Sequence, residues 1–166
     1  MILPKNFAID TPNTWQISST LFTSGQVSHA DTTWFANAMG VKSVLNLLPP
    51  AQELREEDAW WEVLEVTYDV IPMVWMQPSK HEVVAVLSWI VAHQHHPCLV
   101  HCSMNYRVAA IIHACKRIQD AGAEPPTSAW FCDFYTPNPI WLAFIDSLMD
   151  GKDPDFMALA SAVVVN

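Results

Sequence analysis

Residues 98–112 read Cys-Leu-Val-His-Cys-Ser-Met-Asn-Tyr-Arg-Val-Ala-Ala-Ile-Ile. An apolar run ends in a histidine and a cysteine, a short polar stretch follows, and an arginine opens an alanine-rich segment. That order specifies a short buried strand, a turn and a helix. It also constrains the rest of the chain, because the same alternation recurs on either side of it. Ligands in open sheets built this way bind past the carboxyl ends of the strands, where loops lead into helices. Cys102 falls at such a position, whereas Cys98 lies within the strand and Cys115 on a helix face.

After an extended N-terminal arm, Ser18 to Ser24 reads as a strand closed by Gly25-Gln26. Ser28 then precedes a helical pattern (Trp34, Phe35, Ala38, Met39) that stops at Gly40, a C-terminal cap. Val41 to Leu48 is an apolar strand ended by Pro49-Pro50. Gln52 to Leu64 is charged on one side and carries Leu54, Trp60, Trp61 and Leu64 on the other, so it reads as a helix. Val66 to Met73 returns to a strand pattern. Ser79 and Glu82 form a capping box before an apolar helix that ends near His95-His96-Pro97. Cys98 to His101 is a strand, and Arg107 to Ala121 is a helix ended by Gly122. Beyond Pro125-Pro126 lie two or three helical segments rich in aromatics (Trp130, Phe131, Phe134, Trp141, Phe144). Strands alternating with helices indicate one α/β domain over residues 1–166, with a mostly parallel sheet of four or five strands flanked by helices.

Composition narrows the function. The 166 residues are 51% hydrophobic and 15% charged, with a formal charge of −9 and only three arginines (Arg55, Arg107, Arg117). Nucleic-acid binding is excluded, because counterion release needs clustered basic groups. No apolar stretch is long enough to cross a bilayer, and no signal peptide is evident, so a cytoplasmic protein without a membrane partner is expected. The four cysteines (Cys98, Cys102, Cys115, Cys132) form neither a CxxC metal pattern nor a dense disulfide framework. Gln94-His95-His96 reads as a solvated helix end; neither a metal nor another cofactor is expected.

The turn after Cys102 has a chemistry of its own. A strand-to-helix turn aims consecutive backbone N–H groups into a concave nest, and the helix N-terminus adds positive potential. A thiolate at the base of that nest is a favoured anion. Arg107 supplies a planar, permanently charged fork suited to two oxygens of a tetrahedral oxyanion. Together they suit covalent transfer through a cysteine-bound intermediate. From spacing alone, a plain connection with Cys102 as a small hydrophobe fits equally well.

Val100-His101-Cys102 with Arg107 resembles the V-H-C…R signature of the cysteine-based protein tyrosine and dual-specificity phosphatases. Ser24-Gly25-Gln26-Val27-Ser28 and Gly40-Val41-Lys42-Ser43-Val44-Leu45-Asn46-Leu47 look like the opening of a bacterial phosphatase-like family. That family includes domains joined to beta-lactamase-like hydrolases. Its members read H-C-x-x-N-x-R-V or H-C-x-x-G-x-R-S, with four residues between cysteine and arginine, and Asn105, Arg107 and Val108 match the first form. The resemblance implies a phosphatase-like fold and phosphate monoester hydrolysis through a cysteinyl-phosphate. It implies Cys102 as nucleophile, Arg107 as oxyanion clamp, and Ser103, Met104, Asn105 and Tyr106 as an amide cradle. His101 would orient the loop and help to keep the thiolate charged. Asn105 replaces a glycine, and asparagine tolerates a left-handed backbone. The expected partners are a phosphorylated protein or small molecule, and oxyanions such as phosphate or sulfate.

The pattern departs from such phosphatases in three places. Val108 stands where they carry the Ser or Thr that assists breakdown of the intermediate. Leu48 replaces an arginine of related bacterial sequences. Pro72-Met73-Val74-Trp75-Met76-Gln77-Pro78, the loop expected to hold a general acid, has no carboxylate. Asp69 is the nearest candidate, although it lies within a strand; Glu82 is explained as a cap and His81 as an exposed helix start. Two other functions use the same loop. A rhodanese-like sulfurtransferase would carry a persulfide on Cys102, and a binding module would hold a phospho-ligand without turnover. Most tryptophans read as core, with Trp75-Met76 on the loop that should flank the pocket.

Overall fold

In the computed structural model of the protein, residues 9–52, 56–120, 138–151 and 153–165 are described. Their elements run in chain order β1 (Trp15–Gln16), β2 (Leu21–Ser24), α1 (His29–Asn37), β3 (Ser43–Asn46), α2 (Glu57–Val63), β4 (Thr67–Val70), α3 (Lys80–His93), β5 (Cys98–His101), α4 (Tyr106–Gln119), α5 (Pro139–Asp150) and α6 (Pro154–Ala162). The strands form one sheet in the order β1-β2-β5-β3-β4. The three pairings among β2, β5, β3 and β4 are parallel, and β1 adds an antiparallel edge. The expected α/β architecture with a mostly parallel sheet is therefore present, and the short β1, unexpected from sequence, completes it.

Strand alternation divides the core into two layers. Successive side chains of a strand point to opposite faces. Cys98 and Val100 of the central β5 join the cluster containing Val83, Leu87 and Ile90 of α3, Ile111 of α4 and Trp141 of α5. Leu99, between them, joins Phe35 of α1 and Trp61 of α2 on the other face.

Local chemistry sets the helix ends. The Ser79 hydroxyl accepts from the Glu82 N–H at 3.3 Å, and the Glu82 carboxylate accepts from the Ser79 N–H at 3.0 Å, so the expected capping box forms. Ser28 caps α1 by accepting from the Asp31 N–H at 3.2 Å. After α1 the chain turns at Gly40, whose φ of +69° is the left-handed conformation that glycine adopts without strain.

Several elements are shorter than their patterns. The strand expected from Ser18 begins at Leu21, because the Ser18 hydroxyl accepts from the N–H groups of Thr20 and Leu21 and holds a local turn. The strands expected over residues 41–48 and 66–73 keep only the Ser43–Asn46 and Thr67–Val70 pairing. α2 covers the last part of the helix expected from Gln52, and residues 53–55 lie outside the described residues. α3 stops at His93, before His95-His96. α5 and α6 account for the C-terminal helices, while Cys132 and the aromatics Trp130, Phe131 and Phe134 fall outside the described residues.

Candidate active site

Cys102 lies one residue beyond the end of β5, the strand held on both sides. The Leu47 N–H donates to the His101 carbonyl at 2.9 Å, and the Cys102 N–H donates to the Ser24 carbonyl at 3.3 Å. The Cys102 side chain is completely buried and packs in the α3–α4 layer of the core. Ser103 and Met104 form an exposed tip, and Asn105 turns the chain into α4.

The tip is bound from the β2 side. The Gln26 N–H donates to the Ser103 carbonyl at 2.9 Å, and the Asn13 side-chain amide donates to the Met104 carbonyl at 3.0 Å. A trans peptide points its N–H opposite its C=O, so holding the Ser103 carbonyl outward turns the Met104 N–H the other way. This close approach depends on Gly25. A Cβ there would lie 2.6 Å from Pro12 Cγ and 2.8 Å from the Ser103 oxygen.

Asn105 is the left-handed turn residue, with φ 67°. Its side-chain amide donates to the Asn13 carbonyl at 2.8 Å and to the Thr23 hydroxyl at 2.9 Å. Its own carbonyl accepts from the Ala109 N–H at 2.9 Å, starting α4. Asparagine therefore supplies the backbone conformation together with two side-chain bonds, both of which a glycine would lack.

Arg107, in the first turn of α4, is only 5% exposed. Its Nη2 donates to Gln52 Oε1 at 3.3 Å, and its Cζ lies 6.0 Å from the centre of the Trp75 ring. Among the described residues no carboxylate pairs with it, and its buried Nε has no hydrogen-bond partner. Trp75 also faces Tyr106 at 6.2 Å and stacks on Trp141 at 5.3 Å, and the Trp141 indole N–H donates to the Trp75 carbonyl at 2.9 Å. The sequence singled out Trp75 on its loop; the link to α5 through Trp141 carries no sequence signal. Met76 and Met104 stay exposed.

Behind the loop, alternation places His101 on the face opposite Cys102. His101 and Glu57 of α2 are both completely buried, with Nε2 2.8 Å from Oε1. The contact is close but lacks the alignment of a good hydrogen bond. Glu57 Oε1 also accepts from the Trp61 indole at 3.1 Å. The sequence pattern, charged on one side of residues 52–64 and apolar on the other, does not single out Glu57. Only its proximity to the hydrophobic Trp60-Trp61 pair hinted otherwise.

The acid candidates have partners or positions of their own. The Asp69 carboxylate accepts from the Trp89 indole of α3 at 2.8 Å. Glu82 is engaged in the capping box, and His81 is exposed at the start of α3. Val108 and Leu48 are fully buried core residues, which accounts for their apolar character. Cys98 and Cys115 are also buried, and burial pushes each thiol up to about 12. No group of His, Cys, Asp and Glu among the described residues could hold a metal ion. No described helix is long and apolar enough to cross a membrane.

No protein-family model matches the chain, and no curated protein matches it. Solved structures do. A candidate phosphatase (DUF442) from Shewanella putrefaciens is 22% identical, with a TM-score of 0.71 over 86% of this chain and 94% of its own. The core catalytic domain of the PP-IP phosphatase Siw14 from S. cerevisiae, solved with citrate, is 14% identical, with a TM-score of 0.72 over 96% and 99%. TpbA from P. aeruginosa is 20% identical, with a TM-score of 0.67 over 90% and 92%, and has also been solved with phosphotyrosine. These neighbours are cysteine-based phosphatases of the protein tyrosine and dual-specificity type, and the chain has their fold.

Proposed function

We propose that the protein hydrolyses phosphate monoesters through a cysteinyl-phosphate on Cys102. The observation that carries this reading is Arg107: a buried guanidinium with one hydrogen bond and no anion among the described residues. A buried charge is costly unless paired. An arriving phosphoryl group supplies the missing anion, and the planar fork suits two of its oxygens.

In the first step the Cys102 thiolate attacks phosphorus, the ester P–O bond breaks, and the electron pair leaves with the alcohol oxygen. Amides of Ser103 to Tyr106 and the Arg107 fork hold the equatorial oxygens, where charge spreads. In the second step water attacks phosphorus, the S–P bond breaks, the thiolate returns and inorganic phosphate departs. The loop over residues 72–78 offers no carboxylate to protonate the leaving oxygen. General acid catalysis contributes about 10²–10⁴-fold, so aryl phosphates react before alkyl ones. The oxyanions citrate and phosphotyrosine bound by Siw14 and TpbA support a phosphorylated or oxyanionic ligand here.

The test measures phosphate release from para-nitrophenyl phosphate, and thiocyanate from thiosulfate plus cyanide, for the wild type, Cys102→Ser and Arg107→Ala. Phosphate release lost in both variants is the expected result. Thiocyanate formation instead would assign sulfur transfer. Neither activity, with phosphate raising Tm in an Arg107-dependent way, would leave a binding module. Asp69→Asn is expected to retain activity within about tenfold, since its partner is Trp89. A larger loss in a stably folded variant would make Asp69 the acid.

A further inference from the structure

Two buried ionisable side chains next to the nucleophile are used by no step above. His101 precedes Cys102 directly, and Glu57 opens α2 on the opposite side of the sheet from the Cys102 side chain. Neither exposes any surface, and Nε2 of one lies 2.8 Å from Oε1 of the other. Glu57 is itself aimed from its own helix, because the Trp61 indole one turn along donates to the same oxygen. Glu57 Oε2 and both ring nitrogens of His101 lack an aligned hydrogen-bond partner among the described residues, so the 2.8 Å approach of Nε2 to Oε1 is what joins the pair.

Other charged and polar groups of α1, β3 and β4 are engaged elsewhere. Asp31 of α1 accepts from the Thr11 and Ser28 hydroxyls, Asp69 of β4 accepts from Trp89, and the Tyr68 hydroxyl accepts from Asn46. His29 of α1 packs on the Trp60 ring, 4.8 Å away. Among the described residues, the titratable group recorded at contact distance from the buried imidazole is Glu57.

A buried carboxylate needs a positive or hydrogen-bonding partner. The imidazole meets that need from the residue whose carbonyl is held by Leu47 and whose successor's N–H makes only a 3.3 Å bond to Ser24. We propose that Glu57 is a positioning residue of the nucleophile loop: its carboxylate holds the Nε2–H of His101 and so fixes the imidazole at the peptide leading into Cys102. A carboxylate that binds the far nitrogen of a histidine sets its tautomer and ring orientation. The catalytic consequence rests on the phosphatase reading; the tautomer and loop geometry do not.

The experiment compares the wild type, Glu57→Gln, His101→Gln and the double variant. Nitrogen-15 NMR of histidine-labelled wild type is expected to show His101 with Nε2 protonated from pH 5 to pH 8, and that signature is lost in Glu57→Gln. The pH profile of Cys102 carboxymethylation by iodoacetate shifts in the same variant. Turnover of para-nitrophenyl phosphate falls about 10- to 100-fold with KM unchanged, and the double variant is no worse than His101→Gln alone. A bare Nε2 on neutral His101 in the wild type would overturn the proposal, with no variant needed. So would unchanged imidazole spectrum and alkylation profile in a folded Glu57→Gln. If the wild type releases no phosphate, the phosphatase reading fails while the NMR and alkylation results still decide the role of Glu57.

Discussion

Asn13 and Asn105 interlock across the mouth of the loop. Each has a left-handed backbone, with φ of 51° and 67°. The Asn105 side chain donates to the Asn13 carbonyl at 2.8 Å, and the Asn13 side chain donates to the Met104 carbonyl at 3.0 Å. The turn that opens α4 is thus secured to a segment 92 residues earlier.

This predicts different costs for two substitutions at residue 105. Asn105→Gly keeps the left-handed backbone and loses two hydrogen bonds, about 1–2 kcal/mol. Asn105→Ala loses the same bonds and adds roughly 1–2 kcal/mol for a left-handed non-glycine residue. Urea denaturation should rank wild type, glycine, then alanine; equal midpoints for the two variants would remove the backbone argument.

Gly25→Ala tests the approach of β2 to the loop. The new methyl meets Pro12 and the Ser103 carbonyl, which are a ring and a backbone atom that cannot swing aside. A loss of about 1–3 kcal/mol is expected, together with loss of thermal protection by phosphate. Gly40→Ala is the control: its nearest neighbour is 3.9 Å away, so only the +69° backbone is strained, and phosphate protection should persist.

The cysteines should separate by reactivity. Burial pushes the Cys98 and Cys115 thiols up to about 12, so neither supplies thiolate at neutral pH. Mass spectrometry after iodoacetate at pH 7.5 should find Cys102 modified before either, and phosphate should slow that modification. Equal labelling of the three would end the case for an activated Cys102. The same burial has a stability consequence. Above about pH 9.0 the unfolded thiols ionise while the native ones do not, so stability falls as pH rises towards about 12.

His113 acts at the other end of the pH scale. Burial, reinforced by Arg117 and opposed by Asp146, lowers its pKa from 6.5 to about 4. The unfolded state takes up a proton that the native state refuses, so stability is lost as pH falls from 6.5 towards about 4. His113→Gln should flatten that part of the stability profile, whatever its effect at pH 8. An unchanged slope would show that His113 does not contribute to it.

Local sequence determined the elements whose hydrogen bonds close within a few residues. The Ser79–Glu82 capping box is written within four positions, the apolar run Cys98–His101 is a strand by composition, and asparagine at 105 suits the left-handed turn into α4. From these followed the α/β class and the strand–loop–helix carrying Cys102 and Arg107. Tertiary structure decided what surrounds them, because each of those contacts joins residues far apart in the chain. Gly25 against Ser103, Asn13 against Asn105, and Trp75 against Arg107 depend on how β2 and the loop after β4 meet the end of β5. The clearest case is Glu57, a charged residue in a helix whose pattern put charge toward solvent. Its burial is set by the sheet face that α2 covers, and strand alternation turns His101 to that same face.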